Sequence, residues 1–233
     1  MSRRAERRRV AEPGALGAED ARRLAECVAS GGVAVFPSDT VYGVCCDPDS
    51  ERAVRRLYEL KGRAVARPAA VMFFALEPAL AALAELSGAE RAALQALLPG
   101  PVTLLLPYRG GRFAAACRPH PGGRTQGAHG GQAATLGLRV PRLPDRIQAL
   151  GAVATPVLQS SANISGEADA RRLEEVPMRL LQGADLVLDG GELPGTPSTV
   201  VDLRDYDSTR EWSLRREGAL SAAEVRRLLA AAR

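Results

Sequence analysis

The sequence has few of the residues on which metal sites and nucleophilic catalytic triads depend. It contains two histidines, His120 and His129, and four cysteines that form no CxxC pair. These residues disfavour a zinc site, a Ser-His-Asp triad and a Cys-His pair. The GxxxxGK[ST], GxSxG and HExxH motifs are absent, and no GxGxxG follows a predicted strand. We therefore expect chemistry that needs neither a metal held by the protein nor a protein nucleophile.

Long apolar segments are also missing. No run approaches the ~20 apolar residues that a membrane helix requires, because Arg, Asp or Glu interrupts every Ala/Leu-rich stretch. The N-terminus, MSRRAERRRV, lacks the apolar segment of a secretory signal. Cys45 and Cys46 are neighbours and make poor disulfide partners, so we expect reduced cysteines. These features predict a cytoplasmic protein, and 46% apolar with 25% charged residues excludes a disordered or fibrous chain.

Lysine and asparagine are almost absent. Of the 31 basic residues only Lys61 is a lysine, and Asn163 is the single asparagine. This pattern indicates a coding bias towards arginine, under which a retained lysine or asparagine marks a position where the substitute fails. Lysine and arginine differ in shape and reach, so a compact phosphate contact can require lysine. Chance survival of either residue is the alternative.

The net charge of +4 owes much to an arginine-rich start. We predict that residues 1–14 form a flexible arm and that residues 15–233 form a single domain. The arm could contact nucleic acid, or it could be a solvated tail.

Helical and strand patterns alternate along the chain, which predicts an α/β fold with a mixed sheet. The segment 108–134 contains seven glycines and follows neither period, so we expect a long loop that is either a lid or disordered. Capping boxes are expected at Ser87 and Ser221. The predicted helices are 18–30, 50–61, one after Ser87, 145–150, one before residue 185 and one after Ser221. The predicted strands are 33–36, 70–74, 102–106, 136–140, 153–158, 185–188, 198–203 and 212–214.

Polar clusters stand where these strands end. Each cluster alone is typical of a cap or a turn. Together they supply cations, hydroxyls and an amide, which suit an anion and especially a phosphate. Ligands of α/β sheets bind at strand ends. The single lysine and the single asparagine both fall in these clusters, so we predict a binding site there. The clusters are 38–40, 61–63 with 67–68, 135–139, 161–163 and 198–199.

The clusters in this order resemble the YrdC-like family, the threonylcarbamoyl-AMP synthases. The resemblance covers about residues 20 to 221. It implies a YrdC-like twisted mixed sheet with flanking helices around a basic concave pocket. The segments that carry it are PSDTVYGV at 37–44, YELKGR at 58–63, RP at 67–68, PGPVTLLL at 99–106, TLGLRVP at 135–141, SSANISG at 160–166, STVVDL at 198–203 and LRREGAL at 214–220.

The resemblance implies an enzyme that makes L-threonylcarbamoyladenylate and pyrophosphate from L-threonine, bicarbonate or CO₂, and ATP. Mg²⁺ would arrive with ATP, ligated mostly by phosphates and water. Partner proteins would then pass the threonylcarbamoyl group to tRNA.

The resemblance also assigns site residues. The catalytic residues would be Lys61, Arg63, Ser161 and Asn163. ATP would be bound by Lys61, Arg63, Arg67, Thr135, Asn163 and Arg216. Threonine would be bound by Thr40, Arg139, Ser161 and Ser198, with Arg139 pairing with its carboxylate.

Three departures from the family pattern accompany the resemblance. Ser38 stands where the family usually has threonine, Arg67 where many members have lysine, and Met72 where some have a threonine-contacting histidine. Two alternatives stay open: a double-stranded RNA-binding or ribosome-maturation protein on the same fold, and a carbamoyl-adenylate enzyme with another substrate.

Overall fold

A mixed eleven-stranded sheet forms the centre of the molecule in a computed structural model of the chain. The model describes residues 6–8, 15–62, 69–108, 112–113, 117–119 and 134–232. Its twisted mixed sheet with flanking helices confirms the predicted fold class.

The helices begin at the caps that the sequence provides. Ser50, Ser87 and Ser221 each accept a hydrogen bond from the backbone N–H three residues later, and the last two complete capping boxes. Gly62 ends the second helix in the left-handed conformation that glycine adopts without strain. The helices are α1 (Ala18–Ala29), α2 (Glu51–Lys61), α3 (Leu76–Ala82), α4 (Gly88–Leu97), α5 (Met178–Gly183), α6 (Tyr206–Thr209) and α7 (Ala222–Ala231), with 3-10 helices at Asp145–Ala152 and Leu173–Glu175.

The strands are β1 (Glu6–Arg8), β2 (Ala34–Pro37), β3 (Tyr42–Cys46), β4 (Ala70–Met72), β5 (Val102–Tyr108), β6 (Arg118–Pro119), β7 (Ala134–Arg139), β8 (Val157–Ser161), β9 (Leu186–Leu188), β10 (Thr199–Asp202) and β11 (Ser213–Arg216). Their order is β1-β9-β2-β3-β8-β4-β7-β5-β10-β11, and β6 pairs with β7. Four pairs are parallel, namely β1 with β9, β2 with β9, β4 with β7 and β5 with β10.

Three segments differ from the predicted elements. Strand β3 was not predicted, because Tyr42–Cys46 is buried throughout and shows no alternation of polar and apolar residues. Strand β8 begins at Val157 instead of 153 and runs on into the polar residues. Glu6–Arg8 of the predicted flexible arm forms β1, which pairs with β9 at the sheet edge.

Two apolar cores cover the two faces of the sheet unequally. One core packs α2, α4, α5 and α7 on one face. The smaller core packs α1 and the longer 3-10 helix on the other face, against β2 and part of β3. On this second face the side chains of the middle strands change from apolar to small or polar. This uncovered part of the sheet holds the candidate site.

None of the helices in the described ranges is long and apolar enough to cross a membrane.

Candidate functional site

A cavity of about 320 Å³ opens on the uncovered part of the sheet. Five residues that the resemblance assigned line it: Thr40, Arg139, Ser161, Ser198 and Arg216. They come from the loop before β3 and from four regions of the sheet that are distant in sequence. The topology therefore joins all four residues of the predicted threonine site and one of the predicted ATP site, Arg216, in one space.

The floor of the cavity is made of small residues. Ala70 on β4 pairs with Gly137 on β7 and with Gln159 on β8, so these three side-chain positions share one face. A Cβ at Gly137 would stand 3.3 Å from the Ala70 Cα. Because Ala70 and Gly137 are small, they leave room above the sheet for a ligand.

Arg139 crosses this floor and forms a buried ion pair with Asp39. Its Nη2 donates to Asp39 Oδ1 at 2.7 Å and to Thr40 Oγ1 at 3.3 Å, and both charged side chains are 4% exposed. Asp39 Oδ2 also accepts from the Arg142 backbone N–H at 3.2 Å. Burial lowers the pKa of Arg139 and raises that of Asp39, and their mutual attraction opposes both shifts. The pair fixes the guanidinium beside the cavity.

Lys61 is placed differently from the expectation that it faces the anion pocket. It ends α2, is 1% exposed and is not among the cavity-lining residues. Its Nζ donates to the Ser161 carbonyl, to the Asn163 carbonyl at 2.8 Å and to Asn163 Oδ1 at 2.9 Å. These contacts make Lys61 a residue that positions the turn after β8.

Asn163 is the centre of that turn. Its Oδ1 also accepts from Ser161 Oγ at 2.8 Å, and its Nδ2 donates to the Glu167 carbonyl at 2.7 Å and to Asp169 Oδ1 at 3.0 Å. The amide thus shapes the wall on which Ser161 and Asp169 face the cavity. The single lysine and the single asparagine of the sequence therefore stabilise the same turn after β8.

The opposite wall is held by a segment that follows β11. Thr199 Oγ1 accepts from the Gly218 and Leu220 N–H groups at 3.0 and 2.9 Å and donates to the Leu220 carbonyl. A Cβ at Gly218 would stand 2.2 Å from the Pro197 carbonyl oxygen, so only glycine fits there. This anchoring places Arg216 at the rim.

At the rim, Arg216 on β11 pairs with Val200 on β10, and its side chain contacts Ser198, two residues earlier. Its Nη2 donates to the Ser198 carbonyl at 2.8 Å, and Ser198 Oγ bonds Thr103 Oγ1 at 2.9 Å. Arg216 is exposed, unlike Arg139. It can therefore reach a ligand by a side-chain rotation.

Another charged side chain, Asp202, lies at the end of β10. Asp202 accepts from Arg204 Nε and Arg215 Nε, both at 2.8 Å. Burial alone would raise the pKa of Asp202, but these hydrogen bonds outweigh it and lower the pKa to about 2. The carboxylate is therefore ionised and binds both arginines at neutral pH.

The remaining assigned residues are not brought to the cavity. Thr135 is buried on β7 and does not line it. Met72, at the position where some relatives have histidine, lies in the smaller core. Arg63 and Arg67, with most of the 108–134 loop, lie outside the described residues.

Three cavity or near-cavity residues were missed. Asp39, Gln159 and Asp169 received no role from the sequence. Asp39 stands inside the first polar cluster, which marked its position without a role, and Gln159 stands two residues before the fourth, so a slightly longer cluster would have included it. Nothing local marks Asp169, which is brought in by the Asn163 contact. Within the ranges that the structure describes, no group of three or more His, Cys, Asp or Glu could hold a metal ion.

Comparisons with known proteins point to one family. A family model for Sua5, YciO and YrdC proteins, described as "Telomere recombination", matches residues 26–218. A threonylcarbamoyl-AMP synthase of Chromohalobacter salexigens is 32% identical over 197 residues, which cover 82% of this chain and 98% of that protein. A threonylcarbamoyl-AMP synthase of Pyrococcus abyssi is 28% identical over 209 residues, 89% of this chain and 56% of that protein.

Two solved structures share the fold. The crystal structure of P. abyssi Sua5 complexed with L-threonine superposes with a TM-score of 0.73 and 25% identity, covering 91% of this chain and 58% of that one. The crystal structure of Escherichia coli YciO has a TM-score of 0.69 and 26% identity, covering 91% and 96%. The chain thus spans somewhat more than half of the P. abyssi protein and nearly all of YciO.

Proposed function

The chain belongs to the Sua5, YciO and YrdC family, and we propose that it is an L-threonylcarbamoyladenylate synthase, a nucleotidyltransferase that uses L-threonine, bicarbonate or CO₂, and ATP. One observation carries the proposal: a single cavity joins Thr40, Arg139, Ser161, Ser198 and Arg216. The resemblance divides these residues between threonine and ATP, and the two substrates must meet for the reaction to occur.

The reaction suits a site without a protein nucleophile. The neutral amine of threonine adds to CO₂ and loses a proton, giving a carbamate. A carbamate oxygen then attacks the α-phosphorus of ATP, and the bond to the bridging oxygen breaks as pyrophosphate leaves. Catalysis therefore consists of holding three reactants in line and stabilising their charges with fixed donors.

The threonine end of the cavity is formed around Arg139. We assign the carboxylate of threonine to this guanidinium, with the hydroxyls of Thr40 and Ser198 as further polar contacts. Because Asp39 and Thr40 hold the guanidinium, its position is set before the substrate arrives. The P. abyssi Sua5 crystal structure with L-threonine supports threonine as a substrate of this chain.

The ATP end lies at Arg216, with the threonine-site residue Ser161 beside it, and the proposal adds Arg63 and Arg67 from the sequence motif. Mg²⁺ enters with ATP as part of the substrate, ligated by phosphate oxygens and water. Lys61 and Asn163 act here through the turn that carries Ser161, and Thr135 supports β7 beneath it.

Pyrophosphate release tests the proposal. With ATP, Mg²⁺ and bicarbonate present, release is expected to depend on L-threonine. Ser161→Ala should lower this rate, because the hydroxyl lines the cavity, whereas Ser165→Ala, on the exposed side of the same turn, should leave it unchanged. Threonine-independent release, or none, would contradict the proposal.

The RNA-binding alternative predicts a different result in the same assay. A double-stranded RNA-binding or ribosome-maturation protein would bind RNA and release no pyrophosphate on addition of threonine. Transfer proteins that pass the group to tRNA, and a cytoplasmic location, stay predictions.

A further inference from the structure

Gln159 lines the cavity at the junction of its two ends. It is 4% exposed and precedes Ser161 by two residues on β8, so both side chains lie on the same face of the strand. Its amide oxygen accepts from Arg139 Nη1 at 3.4 Å. Gln159 therefore stands between Arg139, which the proposal gives to the threonine carboxylate, and Ser161, which lies beside the ATP end.

The amide nitrogen of Gln159 is available to a ligand. Only the amide oxygen can accept from a guanidinium, so the amide oxygen faces Arg139 and the amide nitrogen lies on the side away from Arg139. Within the part of the chain that the structure describes, this nitrogen makes no hydrogen bond. A donor at a cavity wall without a protein partner is suited to a substrate oxygen.

The neighbouring strand is shaped around this side chain. A Cβ at Gly43 on β3 would stand 3.0 Å from Gln159 Nε2 and 2.9 Å from Phe36 Cε1. Glycine at this position therefore leaves the space that the Gln159 amide occupies. The amide therefore lies between Gly43, next to its nitrogen, and Arg139, which contacts its oxygen.

We propose that Gln159 Nε2 donates a hydrogen bond to the carbamate formed from L-threonine and CO₂, and that Gln159 is a catalytic residue of the synthase reaction proposed above. The amine and the carboxylate of threonine share one carbon atom. A carboxylate bound to Arg139 therefore brings the amine next to the amide that contacts the same guanidinium. The carbamate built on that amine then points towards Ser161 and the α-phosphate.

A neutral donor fits this step better than a further cation would. The amine adds to CO₂ with loss of one proton, and one carbamate oxygen must keep its electron pair to attack phosphorus. An amide N–H orients the carbamate through its other oxygen without neutralising the attacking one. Since glutamine does not titrate, its contribution does not depend on pH.

The test compares the bicarbonate requirement of variants in the pyrophosphate assay. Gln159→Leu keeps the volume and removes the donor. Losing one hydrogen bond to a charged group should raise the half-saturating bicarbonate concentration about tenfold, with that of ATP and the melting temperature unchanged. Gln159→Glu should raise the half-saturating bicarbonate concentration further, because its negative charge repels the carbamate. Gln95→Leu, the same exchange on the exposed face of α4, is the matched control.

Two results would overturn the proposal. One is an unchanged bicarbonate requirement in Gln159→Leu. The other is an equal rise for all three reactants, which would show a general loss of cavity structure. If the wild-type protein releases no pyrophosphate on addition of threonine, the proposed function itself fails, and the role of Gln159 fails with it.

Discussion

Replacing Lys61 with arginine separates a positioning role from direct contact with ATP. The Lys61 ammonium donates to three oxygens of the turn at Ser161 and Asn163. These oxygens converge on one nitrogen, which matches a compact ammonium. A guanidinium is wider and planar, so it cannot donate to the same three oxygens from one point. Arginine is expected to lose at least one hydrogen bond and to push the turn outward.

The magnitude follows from the burial of this group. Each buried acceptor left without a donor costs about 1–3 kcal/mol, and overfilling a packed site costs a similar amount. We expect Lys61→Arg to lower the free energy of unfolding by about 2–4 kcal/mol, which corresponds to roughly 4–16 °C in melting temperature for a chain of this size. A displacement of Ser161 by about 1 Å would lower turnover on the order of 10²-fold.

Two measurements on one variant decide between the interpretations. Thermal unfolding and threonine-dependent pyrophosphate release should both fall in Lys61→Arg. Arg55→Lys, the reverse exchange on the exposed face of α2, should change neither. A variant with normal stability and lost turnover would refute the positioning role and assign Lys61 to the substrate. A variant normal in both would show that Lys61 only supports the end of the helix.

Three further predictions concern the rim, acid stability and the arm. Arg216→Ala should raise the half-saturating ATP concentration about 10- to 100-fold in the pyrophosphate assay with little change in melting temperature, because Arg216 is exposed. Asp202 has a pKa of about 2 in the folded protein against an ordinary 3.8, so its contribution to stability is complete above about pH 4 and is lost as the pH falls towards 2. The free energy of unfolding, measured with denaturant, should therefore fall less over this pH range in Asp202→Asn than in the wild-type protein. Deleting residues 1–14 should leave pyrophosphate release nearly unchanged, and any RNA binding by the arm should lose its salt dependence.

The fold was predictable where local signals are strong. Caps at Ser50, Ser87 and Ser221 and amphipathic spacing located α2, α4 and α7. Strand β3 was missed because all five of its residues are buried, so it shows no alternation of polar and apolar residues. The pairing of β1 with β9 depends on a contact between distant segments, which no local pattern encodes.

The site was predictable in its membership more than in its geometry. Strand-end polarity and the family resemblance selected Thr40, Arg139, Ser161, Ser198 and Arg216, which the structure joins in one cavity. They did not show that Lys61 turns inward to the 161–163 turn. A side chain four carbons long can reach either side of a helix end, and only tertiary packing decides which.

The cations of the site divide into two groups with different tasks. Lys61 and Arg139 are buried, and most of their donors are used by carbonyls, an amide or a carboxylate of the protein. Their hydrogen bonds hold these cations in place, so they keep hydroxyls and a carboxylate site at fixed positions. Arg216 is exposed and lies at the rim, where its donors can reorient. We therefore expect Arg216, with the motif arginines Arg63 and Arg67 that the resemblance assigns to ATP, to meet the charge that develops on the phosphates. Catalysis in this cavity would then combine a rigid interior that aligns the carbamate with exposed cations, Arg216 among them, that follow the phosphates.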